Sequence, residues 1–443
     1  MDLLISILII VLTSYLILKF ASFFKTVPIE YLNQQSYIEP TRLNNESSIY
    51  RSIKSPRLTV GLDIRYDHYK LRNGNLNDIW MIVLQNLEKK TGQRGIYMND
   101  EFIEFEEINH NILHLFDDVK PDSINISCDF KIDKKWTVIV LTAFINQIPI
   151  NFYDSKFTKP KNGMIIDDLT IIGGLKSLDT NYKYTPEKDK GTAFKIQDVL
   201  NKNIYTNIEF TQLNLISAIA STIKHLPSNK VDQFKSIEII SSTNSYGTYI
   251  KNIVLKLLFG LVQNYEIHIN DHPTFKYDIT SISEPDMLKY SSKLNIFQKL
   301  RYILLTNGFF DSKKLIYLES DSMKSVITSN QQNAYKIKFN SNIITEYLIP
   351  EVIGPLVVTD YYEYRTFGPK FGSLPQCLEM KIYNLDKSNK GRLMIRGYSI
   401  GKSERIINDS IEESSRRNDG FKPLTLREPV KWGNDGCLYF DCK

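Results

Sequence analysis

The sequence predicts a layered α/β body that follows a single apolar helix, and three observations predict it. Segments of helical period alternate with segments of strand period for most of the chain, the pattern of a sheet covered by helices. Across 443 residues, 42% are hydrophobic and 24% charged, enough apolar surface for one large domain or two to three average ones. Leu3 to Leu18 then contains no charged residue at all.

That first run reads LLISILIIVLTSYLIL. Extended past a snorkelling Lys19 through Phe20–Phe24, it approaches the roughly 20 residues that span a bilayer as a helix. A cleaved signal peptide fits less well, because Asp2 replaces the basic start and Ala21-Ser22-Phe23 is a poor cleavage site. Residues 1–25 are therefore expected to be a transmembrane anchor. Lys19, Lys25, Arg42, Arg51 and Lys54 all follow the run, which predicts a cytosolic body. The sequons at Asn45, Asn125 and Asn408 would then go unused. Residues 26–56 are polar and contain Pro28, Pro40 and Pro56; they are read as a tether lying against the body, and residues 57–443 as the body.

Within the body, Asn75–Lys90 has a helical stripe of Ile79, Ile82, Val83 and Leu87, with Asn77 as its cap and Gly92 closing it. Glu106–Asp117 carries Ile108, Ile112 and Leu115 on one side, and Ile124 and Ile126 alternate as in a strand. Lys134–Gln147 reads as a buried helix, followed by a strand over Ile148–Phe152; the Lys-, Asp- and Gly-rich segment 156–190 is expected to loop outward. Gln212–His225 and Tyr249–Leu261 are helical, Ser236–Ile240 is a strand, Phe297–Leu305 has a helical pattern, and Leu378–Tyr383 and Arg392–Arg396 are strands. No internal repeat is present.

Composition excludes several classes. The net charge of +5 comes without a dense basic stripe, which argues against nucleic acid and allows modest attraction to an anionic membrane. Four scattered cysteines fit a reducing compartment, and the Cys437–Cys442 spacing lacks the second pair that zinc needs. His110 and His114 share a helix face, yet position 111 is Asn and not Glu, so a surface pair is expected. His268 and His272 have the same spacing in an extended-looking stretch. Asp67-His68 and Asp271-His272 could serve acid–base chemistry, but no nucleophile motif accompanies them. Ser241–Lys251 follows a strand and opens a helix, as a phosphate loop does. It offers Gly247 and Lys251 as nucleotide-binding candidates, with a bulky Tyr246 beside its one glycine. Met287 and Leu288 read as core, and Glu412–Arg417 as a solvated face.

Several fragments occur in a telling order. They are Phe105-Glu106-Glu107-Ile108, Lys134-Lys135-Trp136 with Ile148–Asp154, Thr192–Leu200, Lys299–Gly308, Lys390–Gly397, Asp419–Lys422 and Asn434–Asp441. In this order they resemble landmarks of the long-chain acyl-CoA synthetases, within the adenylate-forming (AMP-binding) superfamily. Lys299–Gly308 resembles a strand reading Leu-Arg-x-x-x-Asn/Ser-Gly-Gly. The resemblance implies the layered α/β fold of that family's large N-terminal domain. It also implies that the nucleotide motifs have degenerated. The family's glycine-rich phosphate loop falls on Asn203–Gln212, which holds neither glycine nor lysine. The Tyr-Gly-x-Thr-Glu stretch falls on Ile353–Val357, where Gly354 alone is kept, and valine cannot ligate magnesium. The ribose-binding aspartate falls near Thr425. The hinge becomes Asp441-Cys442-Lys443, implying that the small C-terminal domain is absent.

The resemblance thus implies a pseudoenzyme of the long-chain fatty acid–CoA ligase type, anchored at the endoplasmic reticulum or a lipid droplet. No catalytic residue, cofactor or metal is assigned; Gly247, Lys251 and Gly354 are the candidate cofactor-binding residues. The expected partners are a membrane, a protein (an active acyl-CoA synthetase among the candidates) and a fatty acyl ligand. The alternative is an active ATP-dependent ligase completed in trans by a partner.

Overall fold

The computed structural model describes residues 2–23, 25–40, 45–65, 71–89, 93–99, 101–117, 120–155, 160, 162–201, 204–241, 247–321, 327–366, 371–403, 420–424 and 429–440. The chain opens with helix α1 (Asp2–Phe23). Its described side chains, Ile5–Thr13 with Tyr15 and Leu16, are almost all apolar and all exposed. Over the described residues, no helix is both long and apolar enough to cross a membrane.

The segment read as a tether is part of the body. Ser36–Glu39 pairs with Ile49–Ser52, and Arg51 there lies opposite Glu379 in the next strand. Strands this short and this exposed show no period, which is why the sequence pattern missed them. Helix α2 (Leu76–Glu88) is capped two residues before the expected position, by Asn75 and not Asn77. The Asn75 side chain accepts from the Asp78 N–H (2.9 Å) while the Asp78 carboxylate accepts from the Asn75 N–H (2.9 Å). Gly92, expected to close it, lies outside the described residues.

The longer elements continue in chain order as β1 (Gly95–Met98), β2 (Glu101–Glu104), α3 (Phe105–His114), β3 (Ile124–Ser127), α4 (Lys134–Ile145), β4 (Ile150–Tyr153), β5 (Thr192–Asn201) and β6 (Ile204–Thr211). They are followed by α5 (Gln212–His225), β7 (Ser236–Ile240), α6 (Gly247–Val262), β8 (Glu266–Asn270), β9 (Ile279–Ser283), α7 (Ile296–Thr306), β10 (Leu315–Ser320), α8 (Ser329–Phe339), β11 (Asn342–Leu348), β12 (Pro355–Val358), β13 (Leu378–Tyr383) and β14 (Arg392–Gly397).

An eight-stranded sheet runs β12-β11-β10-β9-β7-β8-β1-β2. Its six inner strands are parallel, and antiparallel β12 and β2 close the edges. A second sheet runs from Lys402–Ser403 through β6, β5, β4 and β3 to Met164–Ile165. A third, antiparallel sheet joins Ser36–Glu39, Ile49–Ser52, β13, β14 and Lys422–Pro423. Helix α6 touches both large sheets, contacting β7 and β8 of the first and β5 of the second. Every residue from Gly247 to Leu261 is buried, as a helix apolar on all sides must be. Gly260 permits this packing, since a Cβ there would stand 2.9 Å from Ile267 Cγ1.

Two expectations need correction. The segment 156–190 does not project outward over its described residues. The Asn111 amide exchanges hydrogen bonds with the Ile172 backbone (2.8 Å each way). The Asn109 amide donates to the carbonyls of Ser177 (3.0 Å) and Asp179 (2.9 Å). Composition suggested a solvated loop, but two buried asparagines on α3 supply the partners its backbone needs. Lys299–Gly308 is not a strand either: it is helical through Thr306, capped by a box between Asn295 and Gln298, and the next strand is β10.

Candidate functional site

In an open parallel sheet, ligands bind beyond the carboxyl ends of the strands, where the strand order reverses. Here the order reverses at β7, whose successors β8 and β9 lie on its two sides. The chain leaves β7 at Ser241 and re-enters helix at Gly247; residues 242–246 lie outside the described residues. The motif resembling a phosphate loop therefore stands at the switch point.

The three candidate residues gather nearby. A Cβ on Gly247 would stand 2.6 Å from Ile196 Cγ2 of β5, so the helix start is pressed against the second sheet. Lys251 lies one helical turn further on and is 2% exposed. Its ammonium donates to the carbonyls of Ile349 (2.5 Å), Pro350 (2.9 Å) and Val352 (2.7 Å). These carbonyls belong to the turn joining β11 to β12, which ends at Gly354 with φ +73°, a conformation glycine adopts without strain. Lys251 thus closes a turn, and contacting a nucleotide would require withdrawing it from those carbonyls.

Beside Gly354, a small cavity is walled by Ser221, Thr222 and His225 of α5, Tyr317 of β10, Glu346 of β11 and Pro355. The centre of a water-sized sphere has about 10 Å³ to move in, space for about one water. His225 Nε2 faces the Thr359 carbonyl at 3.0 Å. Among the described residues, His225 Nδ1, the Tyr317 hydroxyl and the Gln376 amide nitrogen are buried without a hydrogen-bond partner. Burial, reinforced by the Lys54 ammonium, pushes the His225 imidazole down to about 3, so it is neutral at physiological pH. Lys54 also pairs with Asp360 at 2.8 Å. Burial works against ionisation of Asp360, but the Lys54 ammonium outweighs it, and its carboxyl titrates below the usual range.

A buried polar chain continues inward. Lys256 Nζ lies 2.6 Å from Glu346 Oε1, with both side chains buried, and 3.4 Å from the centre of the Tyr317 ring. The Asn252 amide donates to Glu346 Oε2 at 3.2 Å. The Ser281 hydroxyl donates to Glu319, whose carboxyl is pushed up to about 7, chiefly by burial and then by the charge of Glu346. Sequence reasoning missed this group. Its one signal is a lysine, Lys256, set inside the apolar run Ile253–Phe259.

The segment expected to replace the phosphate loop is not a loop. Ile204–Thr211 is strand β6, paired antiparallel with β5 from Thr192↔Thr211 to Asn201↔Ile204. Only Lys202 and Asn203, outside the described residues, separate Asn201 from Ile204. A paired strand points its N–H groups alternately to its two sides, into ladders; a cradle for phosphate needs successive N–H groups to converge. Strand β6 continues into α5, capped by a box between Thr211 and Asn214.

The Ile353–Val357 placement of the Tyr-Gly-x-Thr-Glu stretch runs into strand β12. Glu351 lies four positions after Tyr347, near the carboxyl end of β11, which is the tyrosine-to-glutamate spacing of that pattern, at the strand-to-loop position where such sites form. Glu351 is buried, and its signal in the sequence is that spacing. Thr425, Asp441–Lys443 and Asp67-His68 lie outside the described residues.

Elsewhere, His110 and His114 lie 4.6 Å apart between ring centres, and His114 pairs with Asp117 at 2.8 Å. His268 stacks on Tyr97 and Tyr277 and faces Glu266, while His272 falls past the end of β8. Among the described residues, no group of three His, Cys, Asp or Glu could hold a metal ion.

No protein-family model matches the chain. An uncharacterized protein of Saccharomyces cerevisiae, YHR045W, is 25% identical over 92% of this chain and 92% of its own length. Among solved structures, the luciferase-like enzyme of the mealworm Zophobas morio superposes with a TM-score of 0.58 at 11% identity, covering 87% of this chain and 98% of that one. A long-chain-fatty-acid-CoA ligase of Archaeoglobus fulgidus gives 0.56 at 11% identity and 87% of each chain. The O-succinylbenzoate coenzyme A synthetase of Bacillus subtilis gives 0.58 at 11% identity, covering 82% of this chain and 77% of that one. The fold is that of the adenylate-forming enzymes. Within that adenylate-forming fold, the described site has a cavity sized for about one water, a lysine committed to a turn and a two-stranded ladder.

Proposed function

We propose that this protein is a non-catalytic, membrane-anchored member of the acyl-CoA-synthetase-like fold, acting in lipid metabolism by binding a protein partner or an acyl lipid. One observation carries the reading: the β5–β6 ladder occupies the stretch expected to hold the phosphate loop, and two residues connect its paired ends. Two further observations support it. Lys251, the cation nearest the switch point in sequence, is bonded to three carbonyls. The cavity between α5 and β10–β12 is too small for an acyl chain, so an acyl lipid would have to be held elsewhere.

Anchoring by α1 rests on the uncharged Leu3–Leu18 run and on the exposure of its described apolar side chains. The basic residues after it favour a cytosolic body, at the endoplasmic reticulum or a lipid droplet. Asn125, in one of the unused sequons, is 1% exposed and bonded to the Asn162 carbonyl, a poor glycan acceptor in the folded chain.

The second reading, an active fatty acid–CoA ligase, has Tyr347 and Glu351 in its favour. Full-length protein in vesicles, supplied with ATP, magnesium, palmitate and coenzyme A, separates the two. The first reading expects no acyl-CoA and no pyrophosphate above a protein-free blank. Turnover that is lost in Glu351→Gln would establish the second.

A further inference from the structure

We propose that helix α7 is a membrane-surface helix, its apolar face seated in the interfacial layer of an anionic leaflet beside the point where α1 leaves the bilayer. Ile296, Phe297, Leu300, Ile303 and Leu304 are all more than half exposed, with Phe297 at 74%. Their spacing places them on one face of the helix. The opposite face is held by the body. Leu305 is 1% exposed, Arg301 donates to Asn340 Oδ1 (2.5 Å) and the Tyr302 hydroxyl to Asn330 Oδ1 (3.2 Å), so the apolar stripe points outward in a fixed direction. An exposed stripe of five large apolar side chains marks an interaction surface.

Charge and position identify the occupant. From Lys293 to Phe310 the chain carries Lys293, Lys299 and Arg301 and no carboxylate, while Lys289 before them is paired with Asp286 at 2.6 Å. A basic amphipathic helix with large apolar residues on its other face suits the boundary between anionic headgroups and acyl chains. Two copies of such a surface would bring like charges together, which disfavours self-association through it. The Thr26 N–H donates to the Gly308 carbonyl at 2.9 Å. This ties the chain just after α1 to the residues just after α7, so both exposed apolar helices emerge at one end of the molecule. Tyr31, 44% exposed, and Tyr362 meet edge to face at 6.5 Å close by, and a Cβ on Gly308 would stand 3.3 Å from the Tyr364 ring. Tyrosines are enriched at this depth of a membrane. The inference rests on reading α1 as an anchor, and it adds the orientation: α7 lies flat and the body is docked, where an anchor alone would leave the body free to swing.

Photo-crosslinking of the full chain in vesicles of phosphatidylcholine and phosphatidylserine tests it. A benzophenone amino acid is introduced singly in place of Ile9, Phe297 or exposed Lys313, and adducts are identified by mass spectrometry. The expected result is lipid adducts at positions 9 and 297, with yield at 297 at least about tenfold above 313, the ratio that burial of one aromatic side chain gives. Lipid adducts at 9 without them at 297 would overturn the surface helix and leave the anchor standing. Absence of lipid adducts at 9 would overturn the anchor and the inference together. Protein adducts at 297, to a second copy or to anything else, would replace the membrane with a protein occupant.

Discussion

Glu319 and the Lys256–Glu346 pair have the largest energetic stakes of the single residues. The Glu319 carboxyl titrates near 7 in the folded chain and near its ordinary value when unfolded, so the folded state holds the proton more tightly. Stability therefore falls as pH rises from about 4.5 to about 7 and is lower by about 3 kcal/mol above that window. Glu319→Gln removes the titration: its unfolding free energy should match the parent at pH 4.5 and exceed it at pH 8, measured by denaturant unfolding at both. Lys256→Ala leaves Glu346 charged and buried with half its partners gone; a loss of about 3–5 kcal/mol is expected. The double change Lys256→Met, Glu346→Leu should recover most of it, because no orphan charge remains. A single change as harmless as the double one would show that the pair is not coupled.

At the scale of elements, the turn between β11 and β12 depends on a side chain from a different helix. Lys251→Met keeps the apolar stem and deletes three charge-assisted hydrogen bonds, leaving the Ile349 carbonyl with only the Val352 N–H at 3.4 Å and taking the ammonium from those of Pro350 and Val352. At least about 3 kcal/mol should be lost, read as a lower denaturant midpoint with an unchanged slope. If Lys251 instead acts on a nucleotide, stability should survive and any turnover should vanish. The cap of α2 is a milder case: Asn75→Ala breaks one half of the capping box and should cost about 1 kcal/mol. The β5–β6 ladder makes the opposite point. Its register leaves two residues for the connection, and the backbone of Ile204–Thr211 is committed to pairing.

For the whole molecule, the proposed lack of a nucleotide site can be tested directly. A ligand at a hundredfold excess over its dissociation constant stabilises a protein by about 2.7 kcal/mol. ATP with magnesium should produce no such shift in full-length protein, and a shift of that size would mean that a nucleotide site exists. The alternation of helices and strands, the buried α6 and the exposed α1 run were legible in the sequence because each is a local pattern of apolar residues. The caps needed more: Asn77 and Asn75 are equally good by residue type, and only backbone geometry chose between them. The strand implied by the resemblance at Lys299–Gly308 gave way to the helical period of Phe297–Leu305, fixed by the Asn295–Gln298 box and docking against α8.

The sequence by itself determined the layered α/β class and the absence of glycine and lysine from Asn203–Gln212, since residue type and period are properties of the chain alone. Tertiary structure decided what each polar group does: that Lys251 closes a turn, that Lys256 and Glu346 neutralise each other, that Ile204–Thr211 is a strand, and that the α7 stripe faces outward beside α1. Those outcomes depend on which partner arrives from a distant part of the chain, and hydrogen bonds and charges are committed only when that partner is in place.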